Sequence, residues 1–177
     1  MLLATLNRWD AGIFGRAAKV TSPIVDRLVP PLTAVADDSR VWLVVAAGMA
    51  GTRRPDLVSS AGRCVLTVAG ISVVVNQGVK RLLWRRRPPI HLVPAGRRAP
   101  GKSTSSFPSG HTASAVGFAV VAGRGHPLLA VPLGVLAAAV GLSRVFAGLH
   151  YPGDVLGGAV IGALIGVAVA STRLPVG

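Results

Sequence analysis

Three ionisable residues interrupt the apolar stretch GLSRVFAGLHYPGDVLGG, Gly141 to Gly158. Arg144 and His150 lie six apart, and His150 and Asp154 lie four apart across a turn. Pro152 in that turn suits the first position of a helix. A carboxylate at this spacing can hold an imidazole N–H. The ring then offers its other nitrogen as nucleophile or base, and the carboxylate stabilises the developing cation. The same residues would equally suit a structural His–Asp tie between two helices. A second cluster is FPSGHT, Phe107 to Thr112. Ser109 is a candidate N-cap, and the free backbone N–H groups of the following helix suit an anion. His111 falls in the first turn beside that anion. A third cluster is KRLLWRRRP, Lys80 to Pro88. Lys80 and Arg87 are seven apart, two helical turns, which places them on one side of a helix end. Such a pair can clamp a phosphate, Arg through a fork of donors and Lys as a point charge. A polybasic flank beside a membrane helix has the same composition.

Taken together, Lys80-x6-Arg87-Pro88, Pro108-Ser109-Gly110-His111 and Ser143-Arg144-x5-His150-x3-Asp154 resemble the three-part signature of the type 2 phosphatidic acid phosphatase superfamily. The resemblance covers about half of the chain, 80–170, and no motif position is substituted. It implies a helical core in which the three motifs converge on one phosphate pocket. It further implies that Lys80, Arg87 and Arg144 bind phosphoryl oxygens, helped by Ser109 and the backbone of Gly110 and His111. His150 would attack phosphorus and become a phosphohistidine, oriented by Asp154. His111 would protonate the departing lipid oxygen and then activate water. The scheme needs neither metal nor cofactor.

The elements that must position these residues read as membrane helices. Of 177 residues, 51% are hydrophobic and 22 are glycine, and the mean hydropathy is +0.59. That profile fits an all-α, polytopic bundle, where small residues let helix backbones approach. A span needs about 20 apolar residues. Five segments are expected to cross, at about 40–52, 58–83, 109–123, 127–146 and 152–171, the first of them short. A polar loop fills 85–107, and Gly158, Gly162 and Gly166 form a close-packing face in the last span. Residues 1–36 mix Leu2, Leu3, Ile13 and Phe14 with Arg8, Asp10, Arg16 and Lys19. They read as amphipathic helices at the interface, punctuated by Pro23, Pro30 and Pro31. The whole chain, 1–177, is expected to be one membrane-embedded domain, without a removable signal peptide.

Charge points to the partners. The formal net charge is +13, and the six acidic residues are all Asp. The basic residues stand in blocks between apolar runs, which favours membrane lipids and a phosphorylated lipid substrate over nucleic acid. The lone Cys64 excludes an internal disulfide and suits a packed, inert thiol. Arg81, Arg85, Arg86, Arg97, Arg98 and Lys102 exceed what one phosphate needs. They suit headgroup attraction or a larger anionic headgroup. Basic residues on the two sides of the spans balance, so they do not orient the pocket. A multi-pass protein of the plasma (inner) membrane is expected. Polyprenyl diphosphate and a phosphorylated polyprenyl-linked sugar are the favoured substrates, with phosphatidylglycerophosphate, phosphatidic acid or a phosphotransfer reaction as alternatives. A purely lipid-binding polybasic protein is the non-enzymatic reading.

Overall fold

Seven helices run through residues 2–172, the part of the chain that the computed structural model describes. They are α1 (Leu2–Ala18), α2 (Pro23–Ala36), α3 (Arg40–Gly51), α4 (Pro55–Leu82), α5 (Gly110–Gly125), α6 (Pro127–Phe146) and α7 (Pro152–Ser171). No strand occurs among the described residues. Pro55, Pro127 and Pro152 each open a helix, where the missing N–H costs nothing. Within α4 the turn at Val74–Val79 widens to π-helical geometry.

The bundle is organised around α5, which packs against α4, α6 and above all α7. Glycine makes that last contact possible. A Cβ on Gly158 would run into the carbonyl oxygen of Ser109, and one on Gly162 into that of Ala113. One on Gly166 would stand 3.1 Å from the carbonyl oxygen of Gly117. The glycine face read from the sequence is therefore a backbone-to-backbone seam. On the other side of α5, Trp42 of α3 meets Phe118 with ring centroids 5.1 Å apart. Cys64 of α4 is fully buried beside them.

Three helices, Pro55–Leu82, Pro127–Phe146 and Pro152–Ser171, are each long and apolar enough to cross a membrane. They present large apolar side chains outward, among them Leu66, Leu128, Val131, Leu156 and Leu164. Helix α3 is apolar but has only 12 residues, about 18 Å of rise against about 30 Å of hydrocarbon. Helix α5, with 16 residues, is enclosed by the three longer ones and belongs to the membrane-embedded core.

The N-terminal segment departs from its sequence reading in one respect. Pro30 and Pro31 lie inside α2 rather than ending it. Val29 packs against Ala147 and Leu149, and this docking outweighs the broken helical hydrogen bonds. Phe14 and Ala18 of α1 are buried with Val93 and Val145. Trp9, Ile24 and Leu28 face outward on these helices, an apolar surface that suits the membrane interface.

Replacing Gly162 by Ala is expected to lower stability by about 1–3 kcal/mol, because overlap with the Ala113 carbonyl outweighs the gain in helix propensity. Gly70, which has open space around it, is the control. There Ala should be neutral or mildly stabilising. Thermal unfolding of both variants in detergent checks this.

Candidate active site

The polar ends of α4 and α5, the polar loop and the turn between α6 and α7 surround a cavity of about 240 Å³. Lys80, Arg87, Gly110, His111 and His150 line it, all five foreseen from the motifs. Ser109, Arg144 and Asp154 stand directly behind that lining and are fully buried.

Ser109 caps α5. Its Oγ accepts from the Thr112 N–H at 3.4 Å and from the Thr112 hydroxyl at 3.0 Å. Its own backbone N–H donates to the Asp154 carbonyl at 2.9 Å, which ties the start of α5 to the start of α7. The peptide between Phe107 and Pro108, leading into this cap, is cis. His111 then follows in the first turn of α5, as its spacing from Ser109 required.

His150 is placed by the way α6 ends. Gly148 adopts a φ of +74°, a left-handed conformation that glycine takes without strain. The N–H groups of Leu149 and His150 turn back to the Arg144 carbonyl at 3.0 and 3.2 Å. The His150 ring lies with Nδ1 2.7 Å from the Ser106 carbonyl oxygen and 3.7 Å from Asp154 Oδ2. A carbonyl only accepts, so Nδ1 carries the proton in the neutral ring and Nε2 keeps its lone pair. The sequence spacing had assigned this hold to Asp154 alone. The structure gives the short contact to Ser106, with the carboxylate behind it. Burial, joined by the charges of Arg87 and Lys80, pushes the His150 pKa below its ordinary value, against the opposing pull of Asp154.

Asp154 is itself held. Its Oδ1 takes the Arg85 guanidinium at 2.6 Å and its Oδ2 takes the Tyr151 N–H at 2.8 Å. Arg85 also pairs with Asp10 of α1 at 2.7 Å and lies over the Tyr151 ring, 4.4 Å from its centroid. Asp10 in turn accepts the Gly153 N–H at 2.7 Å. Arg85 and Asp10 were not foreseen as site residues. Arg85 stood among surplus charges, and Asp10 lies 75 positions from Arg85 and 143 from Gly153.

Two expectations about cations need correction. Lys80 and Arg87 do not share a helix side, because α4 ends at Leu82 and Arg87 follows on irregular backbone. The Arg87 fork is committed to the chain, donating to Leu149 O at 2.7 Å, Thr104 Oγ1 at 3.1 Å and Ser105 O at 3.2 Å. It brings charge to the cavity wall and ties the polar loop to the His150 turn. The surplus arginines are likewise not all headgroup ligands. Arg97 is buried, donating to the Val20 carbonyl at 2.8 Å and pairing with Asp26 at 3.0 Å. Arg98 donates to the Val93 carbonyl at 2.8 Å. Both hold the 83–109 loop, which has no regular ladder to satisfy it.

Arg144 donates through Nη1 to Asp37 Oδ1 at 3.0 Å and through Nη2 to the Thr33 carbonyl at 3.0 Å. Its Nε is buried and has no hydrogen-bond partner. The same Asp37 oxygen lies 3.1 Å from His111 Nε2 and 3.5 Å from Lys102 Nζ. Asp37, on the turn between α2 and α3, thus gathers three groups of the site around one carboxylate. Sequence reasoning missed it, since nothing near Asp37 matched a motif. Lys102 and Thr104 also line the cavity from the polar loop. Among the described residues no cluster of His, Cys, Asp or Glu is arranged to hold a metal ion.

Comparison with known proteins gives the family of the chain. Residues 61–175 match the model of the PAP2 superfamily. The decaprenylphosphoryl-5-phosphoribose phosphatase of Mycobacterium tuberculosis is 37% identical over 136 residues, 73% of this chain and 70% of that protein. Phosphatidylglycerophosphatase B of Bacillus subtilis is 28% identical over 170 residues, 88% of this chain and 79% of that one. The crystal structure of Aquifex aeolicus LpxE superposes with a TM-score of 0.74 at 24% identity, covering 89% of this chain and 92% of that one.

Asp37→Asn removes a negative charge from beside Arg144, His111 and Lys102, and the pocket should attract anions more strongly. Inorganic phosphate should inhibit this variant several-fold more tightly than the wild type. An inhibition constant that is unchanged or higher would contradict this reading of Asp37.

Proposed function

For a chain that belongs to the PAP2 superfamily, we propose an integral membrane lipid phosphatase that works through a phosphohistidine on His150, without a metal ion. The observation that carries this reading is the His150 ring. Its Nδ1–H is spent on the Ser106 carbonyl, and it lines the cavity shared with Lys80, Arg87 and His111. A neutral imidazole so held offers Nε2 as a nucleophile.

The reaction follows from the groups in place. A phosphoryl group enters among Lys80, the free Nε of Arg144 and the N-terminus of α5, while Arg87 adds charge from the wall. Charge spreads over the equatorial oxygens in the transition state, so fixed donors and cations supply most of the catalysis. His150 Nε2 forms a bond to phosphorus as the bond from phosphorus to the lipid oxygen breaks. His111, whose protonated form the arriving dianion favours, delivers a proton to that oxygen. Asp154 stabilises the charge that His150 acquires. Water then attacks phosphorus, gives a proton to His111, and the N–P bond breaks to release phosphate. Two histidines in one pocket can thus play opposite roles because their partners differ.

The favoured substrates are a phosphorylated polyprenyl-linked sugar or a polyprenyl diphosphate, used in building the cell envelope. The mycobacterial relative named above supports the first. Phosphatidylglycerophosphate is the second reading, favoured by the bacillary relative. On the same reading the enzyme works in the plasma membrane of a bacterium.

Phosphate release by the purified protein in detergent, with EDTA present, tests the proposal. Wild type is expected to release phosphate from at least one of these lipids, and His150→Ala to lose activity by at least about 10³-fold. Full activity of His150→Ala, or dependence on added metal, would contradict it. Since the pKa of His150 is lowered, its neutral form persists below the ordinary histidine value of about 6.5. The acid limb of kcat/KM is expected below that pH.

A further inference from the structure

Below Lys80, α4 carries a polar stripe that the phosphate chemistry does not use. Ser72 and Asn76 precede Lys80 by two and one turns and line the same cavity as His111 and His150. Both side chains are exposed although they lie in a helix fit to span a membrane. Polar groups facing hydrocarbon are costly unless something polar meets them. Asn76 Nδ2 donates to Ser72 Oγ at 3.1 Å, which satisfies only part of their capacity. Asn76 Oδ1 lies 3.6 Å, and Lys80 Nζ 3.9 Å, from where a Cβ on Gly110 would stand. A Cβ there would make only ordinary contact with them, so α4 and α5 approach closely at this level. Ser114 of α5 lines the same cavity. The π-helical turn at Val74–Val79 carries Asn76, and such turns are often found at functional sites.

We infer that Ser72, Asn76 and Ser114 form a subsite for a hydroxyl-bearing fragment that links the scissile phosphate to the lipid tail. The inference rests on the phosphatase reading and narrows its substrate class. The stripe descends from Lys80 into the membrane, about 12 Å from Lys80 to Ser72. A fragment between phosphate and tail that follows α4 into the membrane passes along this stripe. The chemistry of the stripe is neutral and able both to donate and to accept. That suits the hydroxyls of a pentose or a glycerol. A diphosphate would place its second anion directly beside the first, at the level of the neutral Asn76, whereas in the pentose and glycerol lipids the hydroxyl-bearing fragment occupies that level and separates the two phosphates. A hydrocarbon joined directly to the phosphate would need an apolar wall.

The test uses the full chain in detergent with three lipids: a polyprenyl-phosphoryl pentose 5-phosphate, phosphatidylglycerophosphate and polyprenyl diphosphate. Asn76→Leu is the principal variant. Ser72→Ala, a milder change at an exposed position, is the second. The ratio of kcat/KM for a hydroxyl-bearing lipid to that for the diphosphate should fall about five- to tenfold in Asn76→Leu, and in the same direction in Ser72→Ala. A fall for the pentose lipid alone, or for the glycerol lipid alone, identifies which fragment the subsite reads. An equal change for all three lipids, or an unchanged ratio in both variants, overturns the inference while leaving the phosphatase reading intact. No release from any of the three by wild type would overturn both.

Discussion

A carboxylate taken fully out of water must be paired, and the pairing of Asp154 organises this molecule. Its two oxygens draw in Arg85 and the Tyr151 N–H, with His150 beside them, and its backbone carbonyl receives the Ser109 N–H. One residue thereby binds the starts of α5 and α7, the start of the polar loop and the His150 turn. Removing one partner from a buried ion pair costs about 3–5 kcal/mol. The loop and α1 are therefore part of the site's structure rather than coverings over it. The glycine seam lets α7 come close enough to α5 for that carbonyl to be reached.

The charge of the site is more balanced than the net +13 of the chain suggests. Asp10 and Asp37 sit on opposite flanks, the first supporting Arg85 and Asp154, the second meeting Arg144, His111 and Lys102. Arg85, Arg144 and Lys102 are thus held in place by acids from the N-terminal segment, while Arg87 is held by Leu149, Thr104 and Ser105. Preorganisation of this kind spares the reaction the cost of gathering charges when the phosphate arrives.

Much of this was legible because it depends on short spacing. The Ser109 cap, the Pro152 helix start and the packing glycines follow from local rules, while the convergence of Lys80, His111 and His150 on one cavity was implied only by the family resemblance. Two kinds of feature were not legible. Tertiary partners distant in sequence, such as Asp10 with Arg85 or Asp37 with Arg144, leave no periodic trace. Nor does spacing tell which arginines bond to backbone. Arg97 and Arg98 look like Arg86 in the sequence, but an irregular loop needs donors for its carbonyls and takes them. The hold on His150 differed for the same reason, since the Ser106 carbonyl comes from that loop. The short segment expected at 40–52 is the helix Arg40–Gly51 packed on α4, and its 12 residues are too few to cross the hydrocarbon unaided.

The central claim is that His150 carries the phosphoryl group. The most direct measurement is to react the protein briefly with a lipid substrate labelled in the scissile phosphate, quench in alkali and map the label. A phosphohistidine is expected, stable in alkali, lost in acid and confined to the peptide containing His150. Turnover with no trapped label at His150, or label on another residue, would contradict the account.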